Sequence, residues 1–85
     1  MPYVYILRCA DDTFYTGWTE NLEARLQAHN AGRGARYTRS RRPVRLAYAE
    51  PCGDRAAALR REAALKRLSR QRKARLAASY GEGSL

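Results

Sequence analysis

The sequence predicts an α+β fold, and three observations carry the prediction. Residues 3–9, rich in tyrosine, valine, isoleucine and leucine, and Phe14-Tyr15-Thr16-Gly17-Trp18 read as two short strands separated by an Asp-Asp-Thr turn. Residues 19–30 and 54–68 place leucines at helical intervals behind residues suited to capping. Between those segments, residues 44–50 form another alternating run. Three strands and about three helices in 85 residues make one domain with one small core, placed at residues 1–80, with residues 81–85 as a flexible tail.

In the first strand, alternation sets Tyr3, Tyr5, Leu7 and Cys9 on one face and Val4, Ile6 and Arg8 on the other. Asp11, Asp12 and Thr13 have turn chemistry, because a short acidic side chain can bond its own backbone. Residues 14–18 then return as the second strand of an antiparallel hairpin, with Gly17 allowing a close approach or a bend. Thr19 is the expected N-cap of a first helix reaching about Asn30, and Gly32 is a natural stop. Leu22, Arg25, Leu26 and His29 share an arc of about 100° on that helix, so Arg25 and His29 are expected to be held against the sheet with the leucines.

Residues 32–43 show neither period. They carry Arg33, Arg36, Arg39, Arg41 and Arg42, with no acid between Glu23 and Glu50, and read as a mobile loop whose charge repels itself until phosphates neutralise it. Tyr37 lies among those arginines, where it could stack on a base. Val44, Leu46 and Tyr48 are expected on one side of the third strand. Asp54 caps a second, alanine-rich helix to about Leu68, on which Ala58, Leu59, Glu62 and Leu65 share a face. Ser69 caps a third helix ending near Ser79.

A formal net charge of +9 makes a polyanion the leading partner: DNA, with RNA as an alternative, or an anionic surface. Cys9 and Cys52 build neither a disulfide framework nor a zinc motif, which points to a reducing, cytoplasmic setting. No apolar run approaches the roughly 20 residues that span a bilayer, and the N-terminus does not read as a signal peptide. No membrane partner is expected. A monomer is the simplest state, with a homodimer as the alternative.

Five residues stand out: Tyr5, Tyr15, Arg25, His29 and Glu62. Arg25 and Glu62 lie at the margins of apolar helix faces, where a charge is costly without a partner. Together the five contain what phosphodiester hydrolysis needs. A carboxylate can hold a divalent cation, and an arginine presents a planar fork to phosphate oxygens. A phenol or an imidazole can take a proton from attacking water, if a nearby positive charge lowers its pKa. The residues alone do not choose between Tyr5 and His29 as the base, and a single suitable carboxylate favours one metal over two.

Tyr3-Val4-Tyr5, then Tyr15-Thr16-Gly17, then Arg25, His29 and Glu62, with Tyr-Thr-Arg-Ser-Arg-Arg-Pro at 37–43, resembles the GIY-YIG nuclease superfamily, in particular its small stand-alone bacterial members. The resemblance covers roughly residues 2–78. It implies a three-stranded antiparallel sheet flanked by helices, and metal-dependent cleavage of DNA phosphodiesters in repair or recombination. By position it implies Tyr5 as general base and Tyr15 on the scissile phosphate or on water. It further implies Arg25 on the transition state, His29 on phosphate or proton transfer, and Glu62 as the ligand of Mg²⁺ or Mn²⁺. Arg33, Arg36, Tyr37, Arg39, Arg41, Arg42, Lys66 and Arg67 are the expected nucleic-acid contacts.

Tyr3 and Val4 depart from the Gly and Ile of the first motif, and Thr16 from the Ile of the second. Trp18 stands where some members have a lysine able to depress the base's pKa, which leaves that part to Arg25 or the metal. An appended domain for target choice is not expected, so shape rather than sequence is the expected basis of selection. Two other readings compete: a non-catalytic nucleic-acid-binding module, and an adaptor docking an acidic protein through the last helix.

Overall fold

The computed structural model describes residues 1–83. Its elements are β1 (Tyr3–Arg8), β2 (Phe14–Thr19), α1 (Leu22–Asn30), α2 (Arg36–Arg39), β3 (Arg45–Pro51), α3 (Arg55–Lys66) and α4 (Arg70–Gly83). The three strands form an antiparallel sheet in the order β2-β1-β3. The most apolar strand, β1, takes the centre, where both its faces can be covered. No helix among the described residues is long and apolar enough to cross a membrane.

The β1–β2 turn is built as its sequence suggests. Asp11 Oδ1 accepts from the Thr13 backbone N–H at 3.2 Å and from the Thr13 hydroxyl at 2.6 Å. Asp12 takes a φ of +65°, the left-handed region that a short acidic residue tolerates. The resulting register places Tyr5 opposite Gly17 and Leu7 opposite Tyr15, so both tyrosines share one sheet face. That face packs Tyr5, Leu7 and Cys9 with Val44, against Leu22 and Leu26 of α1. On the other face Val4 and Ile6 meet Leu65 of α3, with Phe14, Tyr48 and Leu76 around them.

Several expectations shift. The N-cap of α1 is Asn21, whose side chain accepts from Ala24 N at 3.0 Å. Thr19 stays in β2, where its hydroxyl instead accepts from Asn21 N at 3.1 Å. In β3 the shared face fails: Leu46 packs on the α1 side and Tyr48 on the α3 side. The pairing jumps from Ile6↔Tyr48 to Leu7↔Leu46, so Ala47 is an extra residue and the face parity inverts across the bulge. On α3, Ala58 and Leu65 are buried, whereas Leu59 is 50% exposed at the rim of the shared face.

Residues 32–43 are not a featureless loop. They contain α2, and the Arg42–Pro43 peptide is cis. Arg41 Nε meets Asp11 Oδ2 at 3.0 Å, and Arg42 Nε donates to Arg39 O at 2.8 Å. Charge that was expected to repel is thus partly tied into the fold. Asn30 braces the segment's end, accepting from Val44 N at 2.7 Å and donating to Val44 O at 2.9 Å. Asp54 and Ser69 cap α3 and α4 as expected, bonding Ala57 N at 2.8 Å and Arg72 N at 3.2 Å. Helix α4 continues past Ser79 to Gly83, and Ser84 and Leu85, where the rest of the expected tail falls, lie outside the described residues.

Candidate active site

One cleft, of about 290 Å³, is lined by Tyr5, Tyr15, Gly17, Trp18, Thr19, Glu20, Arg25 and Glu62. Four of the five singled-out residues border it, and the fifth, His29, lies directly behind Tyr5. The central strand and the hairpin register deliver the tyrosines, α1 delivers Arg25 and His29, and α3, packed on β2 and β1, brings Glu62.

The Tyr5 hydroxyl lies 3.0 Å from His29 Nε2, and Tyr5 is only 2% exposed. Gly17 makes this possible, because a Cβ there would sit 2.7 Å from the Tyr5 hydroxyl. The second motif's glycine is therefore room for the first motif's tyrosine. His29 is completely buried. Its ring meets Tyr5 edge-on at 6.0 Å and Tyr15 at 5.3 Å between centroids.

Burial sets the protonation of this pair. Desolvation pushes the Tyr5 phenol well above the usual tyrosine range, with Tyr15 adding to it, Arg25 opposing and Glu62 adding. The lowering expected from a nearby positive charge is present but outweighed. Desolvation likewise pulls His29 below its ordinary 6.5, and the positive charge of Arg25 acts in the same direction. At neutral pH the pair is a neutral phenol beside a neutral imidazole.

Arg25 is exposed, yet it borders Leu22 and Leu26 against the sheet. It lines the cleft, and its positive charge acts on both Tyr5 and His29. It makes no ion pair or hydrogen bond through its side chain among the described residues, which leaves its fork free for an anion. Glu62 is mostly buried, its side chain 18% exposed, with Lys66 Nζ 3.6 Å from Oε2. Glu20, also at the cleft, is engaged by Arg55 at 2.8 Å. No group of three or more metal-ligating side chains occurs among the described residues.

The expected nucleic-acid contacts divide. Arg33, Arg36, Arg39 and Arg67 are exposed and have no ion-pair partner among the described residues. Arg41, Arg42 and Lys66 are each engaged within the protein. Tyr37 stacks on Tyr15 at 6.1 Å and lies 3.9 Å from the Arg41 guanidinium, while remaining 38% exposed.

Thr38 and Gly34 were missed by sequence reasoning. Thr38 is buried, with Oγ1 2.8 Å from His29 Nδ1. Gly34 passes so close that a Cβ would lie 2.3 Å from Nδ1. Periodicity offered no signal for either, although Thr38 falls within the 37–43 motif.

Comparison with known proteins agrees with this geometry. Residues 1–75 match the GIY-YIG catalytic domain. A UPF0213 protein of Syntrophus aciditrophicus is 55% identical over 75 residues, covering 87% of this chain and 86% of that one. A UPF0213 protein of Staphylococcus haemolyticus is 51% identical over 74 residues, covering 87% and 90%. Among solved structures, the UPF0213 protein BH0048 from Bacillus halodurans aligns with a TM-score of 0.59 at 41% identity, over 95% of this chain and 87% of that one. The protein EF2693 from E. faecalis aligns with a TM-score of 0.60 at 40% identity, over 93% and 84%. A domain match over most of the chain, relatives sharing half its residues and a cleft holding both motif tyrosines together place it: the chain belongs to the GIY-YIG catalytic-domain family.

Proposed function

We propose that this protein is a metal-dependent DNA endonuclease that hydrolyses phosphodiester bonds. The observation that carries the reading is the hydrogen bond between Tyr5 and a buried His29 at the wall of a cleft bordered by Arg25 and Glu62. Family membership supports a nuclease-type function on nucleic acid.

His29 is fully buried, and among the described residues its hydrogen bond to the cleft wall is the one to Tyr5. The proposed base is therefore the pair. Attacking water gives its proton to the Tyr5 oxygen as the Tyr5 proton passes to His29 Nε2. The new P–O bond forms while the bond to the leaving oxygen breaks, and no free phenolate accumulates on a phenol whose ionisation burial opposes. Tyr15, whose hydroxyl has no hydrogen-bond partner among the described residues, is placed to bond a phosphate oxygen. Arg25 offers its fork to the charge that develops on the phosphoryl oxygens.

A divalent cation fits the donor set. Glu62 is a hard oxygen ligand at the cleft and already holds one cation, the Lys66 ammonium. One carboxylate plus water and substrate phosphates is a common set for Mg²⁺. Glu62 would hold Mg²⁺ or Mn²⁺, and the ion would supply positive charge for the phosphate and the leaving oxygen.

Residues 1–80 acting as one catalytic domain, a monomeric state and a cytoplasmic role in repair or recombination belong to the same proposal. Target choice by DNA shape follows from the basic surface around Arg33, Arg36 and Arg39. The test is cleavage of labelled duplex, single-stranded and branched DNA with Mg²⁺ or Mn²⁺, beside Glu62→Ala. Metal-dependent products lost in the variant support a nuclease. Salt-sensitive binding without products in either protein leaves the binding-module reading.

A further inference from the structure

We infer that Thr38 is a positioning residue that fixes the tautomer of His29, so that Nε2 is the nitrogen able to receive the Tyr5 proton. The inference rests on the nuclease reading for its catalytic meaning, but not for its geometry.

The argument is a count of protons. Thr38 Oγ1 lies 3.1 Å from the Ala35 carbonyl oxygen and 2.8 Å from His29 Nδ1. The Thr38 hydroxyl donates to Ala35 O, whose other lone pair takes the Arg39 N–H at 3.2 Å, and a hydroxyl has only that one proton to give. What Oγ1 then presents to the imidazole is a lone pair, and Nδ1 must carry the hydrogen. A neutral imidazole has one N–H. Nε2 is left as an acceptor, 3.0 Å from the Tyr5 hydroxyl, which therefore donates. The chain of donors runs one way: Tyr5 to His29, His29 to Thr38, Thr38 to Ala35.

The opposite tautomer would break two of these bonds in their present sense. With hydrogen on Nε2, Tyr5 would accept rather than donate, and its proton would have no receiver. Thr38 would have to turn its hydroxyl from Ala35 to Nδ1. That exchange would leave Ala35 O with the Arg39 N–H alone and the Tyr5 proton without a receiver on the ring. Gly34 has a part here as well. Its missing Cβ lets the segment leading into α2 lie against the imidazole, where any side chain would collide with Nδ1 and the His29 backbone.

His29 is the chain's sole histidine, so imidazole ¹⁵N NMR on ¹⁵N-histidine-labelled protein reports one ring. At pH 8 the wild type is expected to show a protonated Nδ1 and an unprotonated Nε2. Thr38→Val keeps the shape and removes the acceptor, and the hydrogen is expected to move to Nε2. Thr38→Ser is expected to restore the wild-type spectrum. In single-turnover DNA cleavage, Thr38→Val should lose ~10- to 100-fold, the scale seen when outer-shell partners of ligating histidines are removed, with Thr38→Ser recovering most of it. A wild-type ring with hydrogen on Nε2 overturns the inference even if Thr38→Val does not fold. So does a folded Thr38→Val that keeps the Nδ1–H form and full cleavage. An Nδ1–H wild type that cuts no DNA upholds the Thr38 assignment and refutes the nuclease reading, so the two failures are distinct.

Discussion

At the scale of single residues, the site is governed by what burial does to two neutral groups. His29 has a depressed pKa, so the unfolded chain binds its proton more readily than the folded one. The stability this contributes is present above the ordinary value of 6.5 and is lost as pH falls from there through the lower folded value. The proposed cleavage needs the same neutral ring. The acid limb of kcat/KM, which reports the free enzyme, is expected to have its midpoint below 6.5, and a midpoint above 6.5 would contradict the role given to His29. Another residue-scale prediction lies on the opposite sheet face. Thr16 is buried, its hydroxyl has no partner among the described residues, and it stands where the family motif has isoleucine. Thr16→Val removes an unsatisfied group at almost constant shape and should stabilise the fold by about 1 kcal/mol in denaturant titration.

At the scale of elements, the contribution of the 32–43 segment is the chief difference between sequence and structure. Strands β1 and β2, the Asp11 turn and the Asp54 and Ser69 caps were legible because each is specified within a few residues: alternation, turn chemistry, an oxygen placed before a helix. Tyr5, Tyr15, Arg25, His29 and Glu62 were legible as a set because the motif spacing resembles a known family. Helix α2 was not. Four residues cannot display a helical period, and α2 is held by tertiary contacts: Thr38 on His29, Tyr37 on Tyr15, Arg41 on Asp11. The β3 bulge was hidden for a similar reason, since an inserted residue is defined only against its partner strand. Angular position gave α3 its face but not the depth of each residue, hence the exposed Leu59. These contacts make Gly34 sensitive. Gly34→Ala would drive a Cβ to 2.3 Å from Nδ1 and 2.7 Å from His29 Cα, where the backbone cannot easily yield. A loss of about 1–3 kcal/mol is expected, with thermal unfolding as the check.

At the scale of the whole molecule, the charge of +9 is spread unevenly in its availability. Arg41, Arg42 and Arg55 are occupied by Asp11, Arg39 O and Glu20, whereas Arg33, Arg36 and Arg39 are exposed with no ion-pair partner among the described residues. DNA affinity should therefore fall steeply with salt. Removing Arg36 and Arg39 together should flatten the slope of log affinity against log salt by about 2, whereas Arg41→Ala should act mainly on stability. Fluorescence anisotropy at several salt concentrations separates the two effects.

The central claim is that Tyr5 and His29 act as one base, and single-turnover cleavage by a double-mutant set tests it most directly. Tyr5→Phe and His29→Ala should each lower the rate by about 10²- to 10⁴-fold, and the double variant should be no slower than the worse single, because removing either group breaks the same proton path. Rates that fall multiplicatively in the double variant, or cleavage that survives Tyr5→Phe, would show that the proton leaves the attacking water by another route.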